Sequence, residues 1–173
     1  MKIAEALALI RPVPNFPIPG ILFQDIAPLI ANPKAFELVT KEFAQTDSSF
    51  NLVAGIESRG FIFASAIAID SAVGFVPIRK AGKLPGAVIK RDYGLEYGSD
   101  SLEMQVDALS RVKDPNGLLL DDVLATGGTA AATCRLVSAL GGDIVALAVL
   151  IELPFLEGRT KLDGIAVESL FTY

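Results

Sequence analysis

The stretch Leu118-Leu119-Leu120-Asp121-Asp122-Val123-Leu124-Ala125-Thr126-Gly127-Gly128-Thr129 decides how the rest of the chain is read. Three successive leucines suit a strand buried on both faces of a parallel sheet. Two carboxylates follow, then a loop of small residues, then a helical pattern over Ala130 to Leu140. Strand, tight loop and helix start together make an anion cradle. The first N–H groups of a helix have no partner within it, and the helix dipole favours negative charge there. Gly127 and Gly128 permit φ > 0 and close approach of the backbone to a ligand. Thr126 and Thr129 add hydroxyl donors. A Gly-Gly pair alone also marks an ordinary turn; the acids and threonines around it are what point to a ligand.

The loop is neither of the common nucleotide loops. It lacks the lysine of G-x-x-x-x-G-K-[ST] and the spacing of G-x-G-x-x-G. Asp121 and Asp122 would repel a bare anion. They make sense beside a ligand that presents hydroxyls or brings Mg²⁺. A ribose phosphate meets both conditions, with its 5′-phosphate in Ala125 to Thr129 and its 2′- and 3′-hydroxyls on the two acids.

Composition narrows the chemistry. At 173 residues the chain suits one α/β domain with one good core. Hydrophobic residues make up 51%, yet the longest apolar run is Ile144 to Ile151, far short of the roughly 20 residues a membrane-spanning helix needs. The expectation is therefore buried strands and no membrane. Met1 to Ile10 reads as an ordinary helix, not a signal peptide, because Glu5 interrupts it. One cysteine, Cys134, excludes an internal disulfide and fits the cytoplasm. A net charge of −5 argues against nucleic acid as a partner. There is no histidine, so catalysis must rest on carboxylates, Lys, Arg, Tyr, metal or electrostatics.

Along the chain, four prolines between Arg11 and Gly20 predict an extended arm ending in a turn. Asn32 before Pro33 predicts an N-cap and N1 proline for a helix to about Thr46, with Phe36, Val39 and Phe43 on one face. Strands are expected over Asn51 to Ile56, Gly74 to Arg79, Leu102 to Val106, Leu118 onward, Ile144 to Ile151 and Ala166 to Leu170. Helices are expected from about Gly60 to Ala72 and over Ala130 to Leu140, the latter stopped by Gly141-Gly142. Asp114 to Gly117 reads as a turn, and Ala81 to Asp100 as a glycine-rich excursion of two ragged strands at most. Strands alternating with helices imply right-handed crossovers and a mostly parallel sheet. Ligands bind such sheets beyond the carboxyl ends of the strands. Residues 57–60, 79–83 and 121–129 fall there.

Those loops carry matching chemistry. Glu57-Ser58-Arg59-Gly60 sits at a strand-to-helix junction, where Ser58 and Arg59 suit either a phosphate or a plain cap with a surface arginine. Arg79-Lys80-Ala81-Gly82-Lys83-Leu84-Pro85-Gly86 brings three cations and a flexible glycine.

LLLDDVLATGGT resembles the phosphoribosyl diphosphate (PRPP) signature of the type I phosphoribosyltransferases. The Ser-Arg-Gly-Phe string, R-K-x-G-K-L-P and L-E-Y-G (Leu95 to Gly98) narrow the resemblance to the adenine phosphoribosyltransferase family, over nearly the whole chain. The resemblance implies a type I phosphoribosyltransferase fold in a single domain, 1–173: a central, mostly parallel twisted sheet flanked by helices. Residues 1–32 would form a hood and 81–100 a flexible catalytic loop. Ser58, Arg59, Arg79, Lys80 and Lys83 would hold pyrophosphate, and Ala125, Thr126, Gly127, Gly128 and Thr129 the 5′-phosphate. Glu96 would supply a proton or stabilise the cationic ribose, and Tyr97 would cap the site. Asp121 and Asp122 would hold the ribose, directly or through Mg²⁺ carried with PRPP. Leu22, Phe23, Gln24 and Leu153 would hold adenine, with Phe23 stacked on the base. Base–aromatic stacking contributes about 1–3 kcal/mol. Gln24 departs from the family, which commonly has Arg there. A homodimer is also implied.

The expected reaction is adenine plus PRPP to AMP plus pyrophosphate, in purine salvage. One rival is transfer to hypoxanthine or xanthine, against which the Leu22 carbonyl argues because a 6-oxo base wants a donor there. Others are a PRPP- or purine-sensing regulator on the same fold, and a non-catalytic nucleotide-binding module.

Overall fold

The computed structural model describes residues 1–94 and 99–173. The chain falls into two compact units, Met1–Glu42 and Phe43–Tyr173. The first holds helix α1 (Ile3–Leu7), a two-stranded antiparallel ribbon β1–β2 (Arg11–Pro14, Leu22–Asp25), helix α2 (Ala27–Ala31) and most of α3 (Pro33–Ala44). The proline arm is extended as expected, and it pairs with residues whose place in a ribbon the sequence did not reveal: Val13 stands opposite Phe23 and Pro12 opposite Gln24. The Asn32 side chain accepts the Lys34 and Ala35 N–H groups at 3.1 Å each, as an N-cap should.

The second unit is built on a seven-stranded sheet in the order β5-β6-β4-β3-β7-β8-β9. Its elements are β3 (Leu52–Ile56), α4 (Gly60–Asp70), β4 (Gly74–Lys80), β5 (Val88–Gly94), β6 (Ser99–Gln105), β7 (Asn116–Leu124), α5 (Gly128–Ala139), β8 (Asp143–Glu152) and β9 (Ala166–Thr172). Strands β4, β3, β7, β8 and β9 are parallel; β5 and β6 add an antiparallel hairpin on one edge. The central strands are buried on both faces: every residue of β3 is buried, as are Leu118, Leu119 and Leu120. That is why the sequence there runs apolar without alternation.

Two expectations are corrected. Asn116 and Gly117 belong to β7, not to a turn; the reversal lies just before them, with Asp114 at φ 47°. The two strands expected in 81–100 are regular and not ragged: 88–94 form β5 and 99–100 begin β6, and the two pair in register over seven residues each. Gly141 ends α5 in the left-handed conformation at φ 79°, and Gly142 N–H returns to the Val137 carbonyl at 3.1 Å, closing the helix as predicted.

Candidate active site

Parallel strands β3, β4 and β7 finish at Ile56, Lys80 and Leu124 on one edge of the sheet, with Ile56 opposite Ile78 and Gly55 opposite Leu120. The three loops singled out by sequence therefore emerge side by side. Gly60 makes the closest junction. A Cβ there would stand 2.5 Å from the Leu120 carbonyl oxygen and 3.2 Å from the Asp121 Cα. Only glycine lets the start of α4 press against the acid-bearing strand. That contact brings the Arg59 guanidinium to 2.8 Å from Asp122 Oδ2.

The two acids lie within β7, ahead of the loop. Successive side chains on a strand point to opposite faces, so the pair straddles the sheet edge. Asp122 is 6% exposed and paired with Arg59. Asp121 lines a cavity with Thr126, Gly127 and Thr129, and its Oδ1 accepts the Asp122 N–H at 2.9 Å. Burial and the neighbouring Asp122 carboxylate push the Asp121 carboxyl well above the usual range. Burial also raises Asp122, against the pull of Arg59.

Beyond the acids, Gly127 caps α5 at φ 74°, with no side-chain cap hydrogen bond among the described residues. The cavity over this helix start measures about 60 Å³, against the roughly 10–15 Å³ that one water needs. The cradle has a backbone floor. A Cβ on Gly127 would meet the Gly158 carbonyl oxygen at 2.2 Å, and one on Gly158 would meet the Ala125 carbonyl oxygen at 2.2 Å. Gly158 was not singled out by sequence; a glycine beside a single-residue helix break carries no motif. Arg159 follows it. Its Nε and Nη2 grip the two oxygens of buried Glu152 at 2.6 and 2.7 Å, and its Nη1 donates to the Val167 carbonyl at 2.9 Å. Leu153, half-buried, is tied to the cradle strand by its N–H on the Leu124 carbonyl at 3.0 Å.

The basic loop gathers around Glu57. Arg79 donates to both Glu57 oxygens, through Nε at 3.2 Å and Nη2 at 3.0 Å; Lys83 Nζ stands 3.0 Å from Oε1, and the Lys80 N–H donates to Oε2 at 3.1 Å. The Arg79 hydrogen bond, helped by Lys83 and Lys80, outweighs burial and holds the Glu57 carboxyl down at about 2. Lys80 Nζ reaches Asp100 at 3.2 Å. Ser58 is exposed at the start of the same loop. Glu57 as hub is legible only in three dimensions, since its partners lie 22 to 26 residues away.

Glu96 and Tyr97 lie outside the described residues. On the strand before them, Tyr93 donates its hydroxyl to Asp100 Oδ2 at 3.0 Å, and burial together with Asp100 pushes that phenol up to about 12. In the first unit, Phe23 is not a core residue. It meets Phe16 edge-on at 5.1 Å between ring centres, and both line a cavity of about 340 Å³ with Val13 and Asp25. Leu22 is exposed and Gln24 half-buried beside it.

Residues 29–164 match the family described as phosphoribosyl transferase domain. An adenine phosphoribosyltransferase of Parasynechococcus marenigrum is 53% identical over 167 residues, covering 95% of this chain and 96% of the relative. The chain belongs to the adenine phosphoribosyltransferase family. Among solved members of that family, the enzyme of Thermoanaerobacter pseudethanolicus superposes with a TM-score of 0.93 at 42% identity, covering 99% of this chain and 100% of the other. The Saccharomyces cerevisiae adenine phosphoribosyltransferase, solved with an imino-altritol bisphosphate and adenine, gives 0.89 at 40% identity, with 97% of each chain covered. The mostly parallel sheet with its antiparallel edge is thus the type I phosphoribosyltransferase fold.

Proposed function

We infer that this chain is an adenine phosphoribosyltransferase. It transfers the phosphoribosyl group of PRPP to adenine, giving AMP and pyrophosphate, and so serves purine salvage. The observation that carries this is the acid pair on β7 running directly into a backbone-built anion cradle, with a cation cluster at the end of β4 on the same edge of the sheet, one strand beyond β3. The full-length likeness to adenine enzymes supports adenine over hypoxanthine or xanthine. A regulator on the same fold is not favoured either.

In the proposed reaction the bond from ribose C1 to the pyrophosphate oxygen breaks, and a bond from C1 to a ring nitrogen of adenine forms as that nitrogen's proton passes to the departing pyrophosphate. Positive charge develops at C1 between the two. Ala125 to Thr129 hold the 5′-phosphate by backbone N–H and hydroxyl groups. Asp121 and Asp122 accept the ribose hydroxyls and favour the cationic sugar. Ser58, Arg59, Arg79, Lys80 and Lys83 bind the departing pyrophosphate, whose negative charge they compensate. Glu96 and Tyr97 act over C1 and the base and keep water out, within a catalytic loop at 81–100. Leu22, Phe23, Gln24 and Leu153 hold adenine. Support for Phe23 is its place, with a second aromatic, on a cavity wall.

Among the described residues no cluster of three or more His, Cys, Asp or Glu is arranged to hold a metal. A pair of acids, one of them already held by Arg59, fits an ion that arrives on its substrate. We therefore place Mg²⁺ with PRPP, where it would neutralise charge as pyrophosphate leaves, with Asp121 and Asp122 beside it as indirect contacts. The single-domain reading of 1–173 rests on length and family resemblance, the hood at 1–32 and the homodimer on family resemblance, and the cytoplasmic location on the single cysteine, Cys134. No helix among the described residues is long and apolar enough to cross a membrane. Pyrophosphate release measured with PRPP and adenine, hypoxanthine or xanthine tests the proposal. Turnover with adenine far above both oxopurines is expected; preference for either oxopurine would overturn it.

A further inference from the structure

Glu103 is a buried carboxylate that the transfer reaction does not touch. It is 1% exposed and sits on β6 between Leu102 and Met104, which are equally buried. Burying a charge there is costly unless it is fully hydrogen-bonded. Its partners are three successive backbone N–H groups of the basic loop: Oε1 accepts Lys83 and Leu84 at 2.7 Å each, and Oε2 accepts Gly82 at 3.0 Å. Gly82, at φ 83°, supplies the left-handed turn that lets consecutive amides converge on one anion. The amides come first among the forces that hold this carboxyl below its usual range; Lys90 Nζ, 3.7 Å away and half exposed, adds a little.

Lys83 is the residue this arrangement fixes. Its N–H is held by Glu103 at 2.7 Å, and its carbonyl accepts Arg79 Nη1 at 3.0 Å. Its ammonium then lands on Glu57 with Arg79 alongside. A lysine that merely solvated a surface loop would not have its own peptide groups pinned at both ends by charged partners. In the sheet, Glu103 stands opposite both Arg79 on β4 and Lys90 on β5, so the anchor rests on a paired strand and not on another loop.

The geometry points to Glu103 as a positioning residue of the pyrophosphate site: its carboxylate fixes the backbone of residues 82–84 and thereby aims Lys83. This rests on the reading of that loop as the pyrophosphate holder.

The test compares the wild-type protein with E103Q. The amide keeps the shape, but its single oxygen cannot take three N–H donors, and its NH₂ faces one of them. Calorimetric binding of pyrophosphate and of AMP is measured on both proteins, with KM for PRPP and for adenine. In E103Q, pyrophosphate affinity falls roughly tenfold or more and KM for PRPP rises in step, the expected cost of unpairing a charged hydrogen-bond set. AMP affinity and KM for adenine stay as in wild type. Unchanged pyrophosphate binding overturns the assignment. So does an equal loss for AMP, which would mark a general structural role. Should E103Q not fold, hydrogen exchange on the wild-type protein decides: protected amides at Gly82, Lys83 and Leu84 support the anchor, and exchange at unfolded-chain rates removes it. A wild-type protein that neither binds pyrophosphate nor transfers to adenine would overturn the functional reading itself, and the assignment with it.

Discussion

The phosphate cradle and the basic loop stand at the ends of β7 and β4, with β3 between them, and are held in different ways. The cradle is backbone against backbone: Gly127 and Gly158 approach so closely that neither position has room for a Cβ. The basic loop is held by charge. Glu57 gathers Arg79, Lys80 and Lys83 from one side, and Glu103 takes three amides from the other. The cradle's Gly127 is walled in, whereas Gly82 in the basic loop has nothing within 4 Å of where a Cβ would be. A site built of close-packed backbone tolerates almost no change of residue, and its peptide groups do not titrate. A site built of carboxylates tolerates changes of size and depends on ionisation. In the proposed reaction the 5′-phosphate keeps its charge throughout, while pyrophosphate gains charge as it leaves. A fixed cradle suits the first, and adjustable cations suit the second.

Gly158→Ala gives the largest break in that contrast. The new methyl would stand 2.2 Å from the Ala125 carbonyl oxygen, a contact with backbone that no rotamer relieves. A loss of roughly 3 kcal/mol or more in unfolding free energy is expected, or displacement of the cradle with a matching rise in KM for PRPP. Gly82→Ala is the control. It adds only the strain of a left-handed residue with a side chain, about 1 kcal/mol. Urea denaturation of the two variants checks the order; equal losses would show that the cradle is no tighter than the basic loop.

What the sequence could and could not reveal follows the same division. The cradle was legible because its parts are contiguous: Leu118 to Thr129 is one strand, one loop and one helix start, each with its own local pattern. The cations of 79–83 were legible as a string, and the parallel sheet followed from alternating strands and helices. Their restraints were not legible. Glu57 meets Arg79 across 22 residues, Glu103 meets Gly82 across 21, and Gly158 meets Gly127 through a contact that only coordinates reveal. Glu103 did leave a trace, an acid inside the expected strand Leu102 to Val106, but nothing local says which backbone amides that acid meets. The β1–β2 ribbon was hidden because prolines suppress a strand reading where no central ladder needs their N–H.

Acid tests the charge-held side next. The Glu57 carboxyl is held at about 2 in the folded protein against 4.5 for an ordinary glutamate. The unfolded chain therefore binds this proton first as pH falls. Stability from Glu57 is present in full above about pH 4.5 and is lost progressively as pH drops towards 2. The ceiling is about 3 kcal/mol, and roughly 1–2 is expected because Arg79 and Lys83 reach into water. Other shifted carboxyls titrate in the same range, so the measurement is a difference: urea midpoints of wild type and Glu57→Gln between pH 2 and 5. The gap between them should narrow as the acid side is approached. A gap independent of pH would mean that Glu57 acts by shape and not by charge.

Thr126→Val asks how far the cradle rests on its backbone. The Thr126 side chain is exposed, so the swap should leave stability unchanged. In the proposed complex it removes one hydroxyl donor to the 5′-phosphate. The N–H groups at the start of α5 and the Thr129 hydroxyl remain. One hydrogen bond among several contributes about 1 kcal/mol, or roughly fivefold in KM for PRPP. The same fivefold should appear in AMP affinity, and pyrophosphate affinity should not move, since that ligand meets the other loop. A loss as deep as that of Gly158→Ala would mean that side chains, and not packed peptide groups, hold the phosphate, and the contrast between the two loops would then be one of degree only.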